Sequence, residues 1–174
     1  MGEFFYQNKI DFTSPGFLKV TASGPKLKKT KLNTNNSVLI PIGGGKDSLV
    51  TLELLKPHFV TTGFVLNPVP AVKELIKTAS VPAIFVHSTI DPHLLKLNKQ
   101  GYLNGHIPFS ALLDFISVFI AAFSQHQFVA ISDERSSDEG NTTYLGHTIN
   151  HQYSKTLEFE TDFQAYVYQF LSPN

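Results

Sequence analysis

Apolar and polar positions alternate along most of the chain in a way that predicts strands and helices in turn. Short, nearly continuous apolar runs predict four buried strands, at residues 38–42, 59–66, 83–86 and 128–131. Helical spacing and flanking proline and glycine predict helices at residues 49–56, 72–79, 92–99, 108–124 and 155–171. Because the strands alternate with helices, we expect an α/β fold of three layers, with a parallel sheet covered by helices on both faces.

The first 36 residues differ in composition from the rest and predict an N-terminal extension. Residues 10–12 and 17–21 alternate apolar and polar side chains on either side of Ser14-Pro15-Gly16, which predicts a short β-hairpin. The segment 26–31 then contains four lysines in six residues, and asparagine-rich sequence follows. A solvated loop is the ordinary interpretation of such a lysine run, and a contact with nucleic acid is the alternative.

The composition excludes several classes of site. The chain has 174 residues, no cysteine, and 14 basic and 14 acidic side chains. It therefore has no thiolate zinc site, no cysteine nucleophile and no pair of thiols for racemisation. Its formal charge of zero argues against nucleic acid as a partner.

The longest apolar stretch, 107–123, contains Asp114 and is shorter than the roughly 20 residues that cross a bilayer. It therefore predicts a buried helix rather than a membrane contact. With no targeting segment visible, we expect a cytoplasmic protein. The oligomeric state stays open, and a homo-oligomer is compatible with the sequence.

The first predicted strand runs directly into the glycine-rich loop Gly43-Gly44-Gly45-Lys46-Asp47-Ser48, and a helix follows. Three glycines let the backbone turn sharply and bring N–H groups close to an anion. The positive end of the helix and the Lys46 charge add to the attraction, which predicts a phosphate site. Two familiar phosphate loops do not fit, since Asp47 replaces the Ser or Thr of a Walker A loop and Ser48 the third glycine of a dinucleotide loop. A glycine turn that only links strand and helix is the alternative.

Three polar clusters further along the chain are not required by a plain α/β fold. Asn104-Gly105-His106 precedes the apolar helix, Ser132-Asp133-Glu134-Arg135-Ser136-Ser137 follows the fourth strand, and Asn150-His151-Gln152-Tyr153-Ser154-Lys155 opens the last helix. The second cluster lies at the carboxyl end of a strand, where parallel sheets bind ligands. Glu134 is a candidate Mg²⁺ ligand there, and Arg135 a candidate partner of a carboxylate or phosphate.

Simpler interpretations of these clusters remain open. The second cluster has the composition of a solvated charged loop, and Ser154 is placed to cap the last helix. His147 and His151 are four residues apart and would suggest a metal site only with a helix and a third ligand.

The glycine loop resembles the PP-loop of the ATP pyrophosphatase superfamily, whose usual form is Ser-Gly-Gly-x-Asp-Ser, with Gly43 in place of the first Ser. The resemblance implies an adenine nucleotide alpha hydrolase-like fold in which this loop holds the pyrophosphate part of ATP. The implied ATP-binding residues are Gly43, Gly44, Gly45, Lys46, Asp47 and Ser48. Asp47 and Glu134 are the implied Mg²⁺ ligands.

The loop and the three clusters, together with Leu157-Glu158-Phe159-Glu160, resemble the ATP-dependent muramyl-dipeptide glutamate epimerase family within that superfamily. The resemblance runs from about residue 38 to 170. It implies a PP-loop ATP-binding domain at 37–174, belonging to a longer architecture, after an extension at 1–36. The implied reaction inverts the terminal L-glutamate of UDP-N-acetylmuramoyl-L-alanyl-L-glutamate with ATP and Mg²⁺. Asp133 and Ser137 depart from the family's usual Asn and Ala.

The resemblance implies roles for the clusters. Substrate or adenylate binding falls to Asn104, Gly105, His106, Glu134, Arg135, Ser136, Asn150, His151, Gln152, Tyr153, Ser154 and Lys155. The candidate catalytic residues are Lys46, Arg135, His106, His151 and Lys155. The sequence does not rank His106, His151 and Lys155 as the acid or base. The alternatives are another PP-loop enzyme that adenylates a different substrate, and an ATP-binding domain that is inactive in isolation.

Overall fold

The computed structural model of the chain describes residues 1–105 and 107–173. Its centre is a parallel sheet of four strands in the order β3-β2-β1-β4. The strands are β1 (Asn35–Pro41), β2 (Val60–Leu66), β3 (Ala83–Val86) and β4 (His126–Val129). The helices are α1 (Gly2–Gln7), α2 (Lys46–Leu55), α3 (Pro70–Ala79), α4 (Pro92–Lys99), α5 (Phe109–Phe123) and α6 (Leu157–Tyr166). The predicted α/β fold, a parallel sheet flanked by helices, is confirmed.

The central strand β1 is apolar along its length because both of its faces are covered. Val38 and Ile40 point to one face and pack with residues of α2 and α3, among them Leu52. Leu39 points to the other face and packs with Phe64 and with α5. Successive side chains of a strand point to opposite faces, so this one strand contributes to both cores. The three predicted layers are therefore present around β1.

The predicted N-terminal β-hairpin is wrong. Residues 10–21 form no strand, and the extension instead begins with the short helix α1. The Phe5 ring on that helix stacks on Phe12 at 5.3 Å and meets Phe17 edge to face at 5.4 Å. The apolar residues at alternate positions therefore pack as rings against a helix, and no strand ladder forms.

The prediction that the apolar stretch 107–123 is buried is wrong for one side of α5. Asp114, Ser117 and Ala121 are buried, but Phe119 is 67% exposed and Phe123 is 83% exposed. No helix in the described part of the chain is both long and apolar enough to span a membrane. The described chain covers the side of α5 that faces the sheet and leaves the opposite side open.

Two strands that the sequence analysis missed follow the second polar cluster. β5 (Thr142–Tyr144) and β6 (His147–Ile149) pair antiparallel around the two-residue turn Leu145-Gly146. Both turn residues have positive φ, 50° and 80°, as in the type I′ turn that suits a tight hairpin. Residues 142–149, for which the sequence predicts no strand, therefore form a hairpin.

The last helix begins two residues later than predicted, at Leu157. The hydroxyl of Thr156 accepts a hydrogen bond from the Phe159 N–H at 3.1 Å, which is the usual N-cap contact. The cap is therefore Thr156 and not Ser154, which is buried in a 3-10 turn at Tyr153–Lys155. The helix continues into a wider turn at Val167–Leu171.

Candidate functional site

The loops that follow β1 and β4 lie side by side at the carboxyl edge of the sheet. β1 pairs with β2 on one side and with β4 on the other. The chain therefore leaves β1 in one direction and reaches β4 in the other. Ligands bind in open parallel sheets at such a reversal of strand order. The glycine loop 43–45 and residues 133–136 of the second polar cluster lie on either side of the crevice formed at this reversal.

The centre of the loop requires glycine. Gly44 has a φ of +91°, and a Cβ atom there would lie 2.9 Å from Cγ2 of Val72 on α3. The positive φ and the lack of space both disfavour any residue other than glycine at this position. A Cβ at Gly43 or Gly45 would meet no atom within 4 Å, so open space lies above the loop backbone. An anion has room to approach that backbone closely.

The helix α2 begins at Lys46, directly after the loop and three residues earlier than predicted. Its N-cap is Gly45, which has no side chain to take up the first N–H groups of the helix. Ser48 is buried, and its hydroxyl donates to the Gly45 carbonyl at 3.1 Å. The loop thus presents the positive end of a helix together with a lysine, an arrangement that binds phosphate.

Lys46 lies between the carboxylate of its neighbour Asp47 and the carboxylate of Glu134, which is 88 residues further along the chain. Its Nζ is 2.7 Å from Oδ1 of Asp47 and forms a second ion pair with Glu134. Hydrogen bonds to Asp47 and to Glu134 raise the pKa of Lys46 well above its usual value. The two residues expected to bind Mg²⁺ therefore meet at one positive charge.

These two carboxylates fit a magnesium ion that is shared with phosphate oxygens. Mg²⁺ in nucleotide sites takes one or two protein carboxylates, and the substrate and water supply the other ligands. The described residues contain no group of three or more histidine and acidic side chains placed to hold a metal on their own. His147 and His151 thus belong to no such group.

Hydrogen bonds join the second and third polar clusters into one region. The side-chain amide of Asn150 donates to the Ser137 carbonyl at 2.7 Å, and the Leu157 N–H donates to Asp138 Oδ1 at 3.0 Å. On the other side, the Ser132 hydroxyl donates to Thr51 on α2 at 2.8 Å. The segment after β4 therefore connects the glycine loop region to the start of α6.

Asp133 interacts electrostatically both with the glycine loop and with the start of α6. Desolvation raises its pKa, the positive charge of Lys155 opposes that rise, and the negative charges of Glu160 and Asp47 add to it. Asp133 thus lies within electrostatic reach of the glycine loop on one side and of the third cluster on the other. The departure from the family's usual Asn places a titratable group at this junction.

The remaining predicted residues of the two clusters are arranged by local hydrogen bonds. The Ser136 hydroxyl donates to Glu134 at 3.3 Å, and the backbone N–H of His151 donates to Asn141 at 2.9 Å. The Gln152 N–H donates to Asn150 at 2.7 Å. The residues of these two clusters that are exposed to solvent are Asp133, Glu134, Arg135, Ser136, His151, Tyr153 and Lys155.

The first cluster lies against the N-terminal helix. The Asn104 carbonyl accepts a hydrogen bond from Asn8 at 2.8 Å, and a Cβ at Gly105 would lie 3.0 Å from Gln7. His106 lies outside the described residues. The described contacts of this cluster are therefore with α1, and the structure does not bring Asn104 or Gly105 to the glycine loop.

The sequence analysis missed a buried acid next to this region. Asp114 on α5 is 5% exposed and lines a cavity of about 420 Å³ between α5, β4 and α6. Burial raises its pKa to about 7, with further contributions from the charges of Asp133 and Glu160. A single acid inside an otherwise apolar helix was the signal for this position.

The chain is similar in sequence to one protein family and to several curated proteins. The family model described as MurL N-terminal domain matches residues 1–173. Three similar proteins are each named UDP-N-acetyl-alpha-D-muramoyl-L-alanyl-L-glutamate epimerase. The Salinispora tropica protein is 39% identical over 123 residues, covering 70% of this chain and 27% of the relative. The Micromonospora protein is 32% identical over 161 residues, covering 92% and 36%, and the Xanthomonas oryzae protein is 33% identical over 174 residues, covering 96% and 37%.

The chain spans between 27% and 37% of the length of these relatives. No solved structure matches it significantly. The family match, in contrast, extends over nearly the whole chain. The chain belongs to the MurL N-terminal domain family.

Proposed function

We propose that this chain is the nucleotide-binding part of an ATP-dependent epimerase that acts on the terminal L-glutamate of UDP-N-acetylmuramoyl-L-alanyl-L-glutamate. The observation that carries the proposal is the placement of Lys46, Asp47 and Glu134 beside a glycine loop, at the reversal of strand order, in a member of this family. The names of the relatives supply the substrate and the reaction. Since ATP and nucleotide-linked precursors are cytoplasmic compounds, the proposal includes a cytoplasmic location.

The loop residues would hold the β- and γ-phosphates. The backbone of Gly43–Gly45 and the first turn of α2 donate hydrogen bonds, and Lys46 adds a full charge. When phosphate is present, its oxygens compete with Asp47 and Glu134 for the Lys46 ammonium. The two carboxylates are then free to bind Mg²⁺ beside the phosphates.

The bound nucleotide would supply activation of the glutamate carboxylate as an acyl adenylate, with release of pyrophosphate. The α-proton of a free carboxylate is very weakly acidic, because its removal places a second negative charge beside the first. Neutralising the carboxylate removes this obstacle, which gives a chemical reason for ATP use in a chain without thiols. Arg135 would bind the developing oxyanion.

Removal of the α-proton and its return on the opposite side require groups on both faces of the α-carbon, and water would then hydrolyse the adenylate to release AMP and the inverted glutamate. His106, His151 and Lys155 remain the candidates, and the proposal does not rank them. Lys155 lies within electrostatic reach of Asp133, which keeps an acid and an amine together at the edge of the site.

A second candidate function is ATP binding without turnover by this chain alone. The limited share of the relatives that the chain spans favours it, since the substrate site of the relatives can include their remaining polypeptide. The two candidates share the phosphate site and differ in whether the isolated chain releases pyrophosphate.

The phosphate site is tested by titrating the chain with ATP and Mg²⁺ in a calorimeter. We expect one site, and we expect Lys46→Ala to weaken it at least about tenfold, because a hydrogen bond to a charged group contributes roughly 1.5–3 kcal/mol. The matched control is Lys96→Ala, an exposed lysine on α4. Absence of binding, or equal affinities for the two variants, would exclude the proposed phosphate site.

A further inference from the structure

The exposed side of α5 is an apolar stripe. Leu112, Phe115, Phe119 and Phe123 are all exposed, and their spacing of three, four and four residues places them on one face of the helix. The Phe115 ring is partly covered by Phe163 and Tyr166 of α6. We call these four residues the outer face of α5. Three of the four side chains are phenylalanines, so the exposed surface is apolar along about three turns.

The side of α5 next to the outer face is also apolar, since Leu113, Ile116 and Ile120 pack against the core formed by Leu39 and Phe64. The far side of the helix carries the buried residues Asp114, Ser117 and Ala121. An exposed apolar patch of this kind marks a surface that interacts with protein or with a membrane. At 15 residues, α5 is shorter than the roughly 20 that cross a bilayer. Protein is therefore the cover that fits its outer face.

The edge of the sheet at β4 is open. Within the described residues, β4 pairs with β1 on one edge and with no strand on the other. Phe128 and Ile131 are both more than a third exposed, and the Phe128 ring contacts Phe59 on the face of the sheet covered by α2 and α3. An apolar sheet edge without a neighbour is a ready surface for another segment of polypeptide.

We propose that the outer face of α5 is the docking surface for the polypeptide that the family enzymes carry beyond the part shared with this chain. The matched family model describes an N-terminal domain, and the three relatives are each between about 2.7 and 3.7 times as long as the share that this chain spans. The occupant is present in every relative considered, in cis, and is long enough to form at least one further domain. This inference does not depend on the chemistry proposed for the phosphate site.

The absence of cysteine from the chain allows a direct test by thiol labelling. Phe119→Cys places one thiol on the outer face of α5. The control Leu54→Cys places one on α2, 66% exposed and on the opposite face of the sheet. Each variant is labelled with a maleimide in two forms: as the 174-residue chain alone, and joined to the Xanthomonas oryzae polypeptide in place of the part that it matches. Mass spectrometry of the peptide containing the introduced thiol gives the labelling rate.

In the joined form we expect the labelling rate of Phe119→Cys to fall at least about tenfold relative to the chain alone, since labelling then requires the interface to open. Leu54→Cys should react equally in both forms. Equal rates for Phe119→Cys in the two forms would overturn the proposal. Protection of Phe119→Cys in the chain alone that increases with protein concentration would also overturn it, because a second copy would then cover the face.

Discussion

The two faces of the parallel sheet are covered by the described chain to different degrees. On the face covered by α2 and α3, seven apolar residues are buried together: Val38, Ile40, Ile42, Leu52, Val65, Val72 and Ile76. On the face covered by α5, the corresponding buried group among the described residues is Leu39, Phe64 and Ala121. The glycine loop joins β1 to α2 and so belongs to the well-packed face. The glycine loop is therefore built on a core that the chain completes itself, whereas the described residues leave the outer face of α5 exposed.

The largest expected effect comes from opening the well-packed face. Leu52 is 0% exposed, so Leu52→Ala should lower the free energy of unfolding by about 2–5 kcal/mol through lost burial and the cavity left behind. Phe119→Ala, on the outer face of α5, should change it by less than about 0.5 kcal/mol. Urea unfolding of the isolated chain measures both. Similar losses for the two variants would show that this chain covers both faces equally.

A smaller effect is expected where the well-packed face meets the glycine loop. Gly44→Ala forces a Cβ against Val72 at a positive φ, which should cost about 1–3 kcal/mol of stability and weaken ATP binding. Gly45→Ala is the matched control for stability, because its Cβ would meet no other atom of the chain and its φ is negative. Urea unfolding of the two variants measures the difference, and calorimetric titration of Gly44→Ala against the wild type measures the loss of ATP binding. A Gly44→Ala variant as stable as Gly45→Ala would contradict the loop geometry.

The last effect is a pH dependence and comes from the acid on the open side, Asp114, which is 5% exposed and lines the cavity. Burial raises the pKa of Asp114 from 3.8 to about 7, so the folded state holds this proton more tightly than the unfolded state. Stability contributed by the protonated acid is therefore present below about pH 4 and is lost as the pH rises towards 7. The charges facing Asp114 across the cavity are Asp133 and Glu160, with His126 also lining it and Lys155 acting on Asp133.

Asp114→Asn removes this titration, so the variant should gain stability relative to the wild type as the pH rises from 4 to 8. Asp162→Asn on α6, an exposed acid, should leave the pH dependence unchanged. Unfolding midpoints measured across that pH range decide the matter. A parallel pH dependence for wild type and Asp114→Asn would show that Asp114 does not titrate differently in the folded chain.

The sequence predicts the well-packed face better than the open one. Apolar runs such as 38–42 identify strands buried on both faces, and the glycine loop follows from residue types that are adjacent in the chain. The pairing of Lys46 with Glu134 joins residues 88 positions apart, so only the fold shows it. The mutual position of the second and third clusters depends likewise on the hairpin of β5 and β6.

The errors have local physical causes. The alternation at residues 10–21 arises from rings that pack on α1, and so short a pattern does not distinguish a strand from such a loop. The strands β5 and β6 contain three residues each, which is too few for an alternation of apolar and polar side chains to be recognised. The composition of α5 correctly predicts a helix, but composition does not show which of its sides the rest of the described chain covers.

The most direct test of the proposed reaction follows deuterium and AMP together. The chain is joined to the Xanthomonas oryzae polypeptide as above and incubated in D₂O with UDP-N-acetylmuramoyl-L-alanyl-L-glutamate, ATP and Mg²⁺. We expect deuterium at the α-carbon of the terminal glutamate and an accompanying release of AMP, with both requiring ATP and the dipeptide nucleotide, and both strongly reduced by Lys46→Ala but not by Lys96→Ala. Deuterium incorporation without ATP, or AMP release that does not depend on the dipeptide nucleotide, would contradict the account.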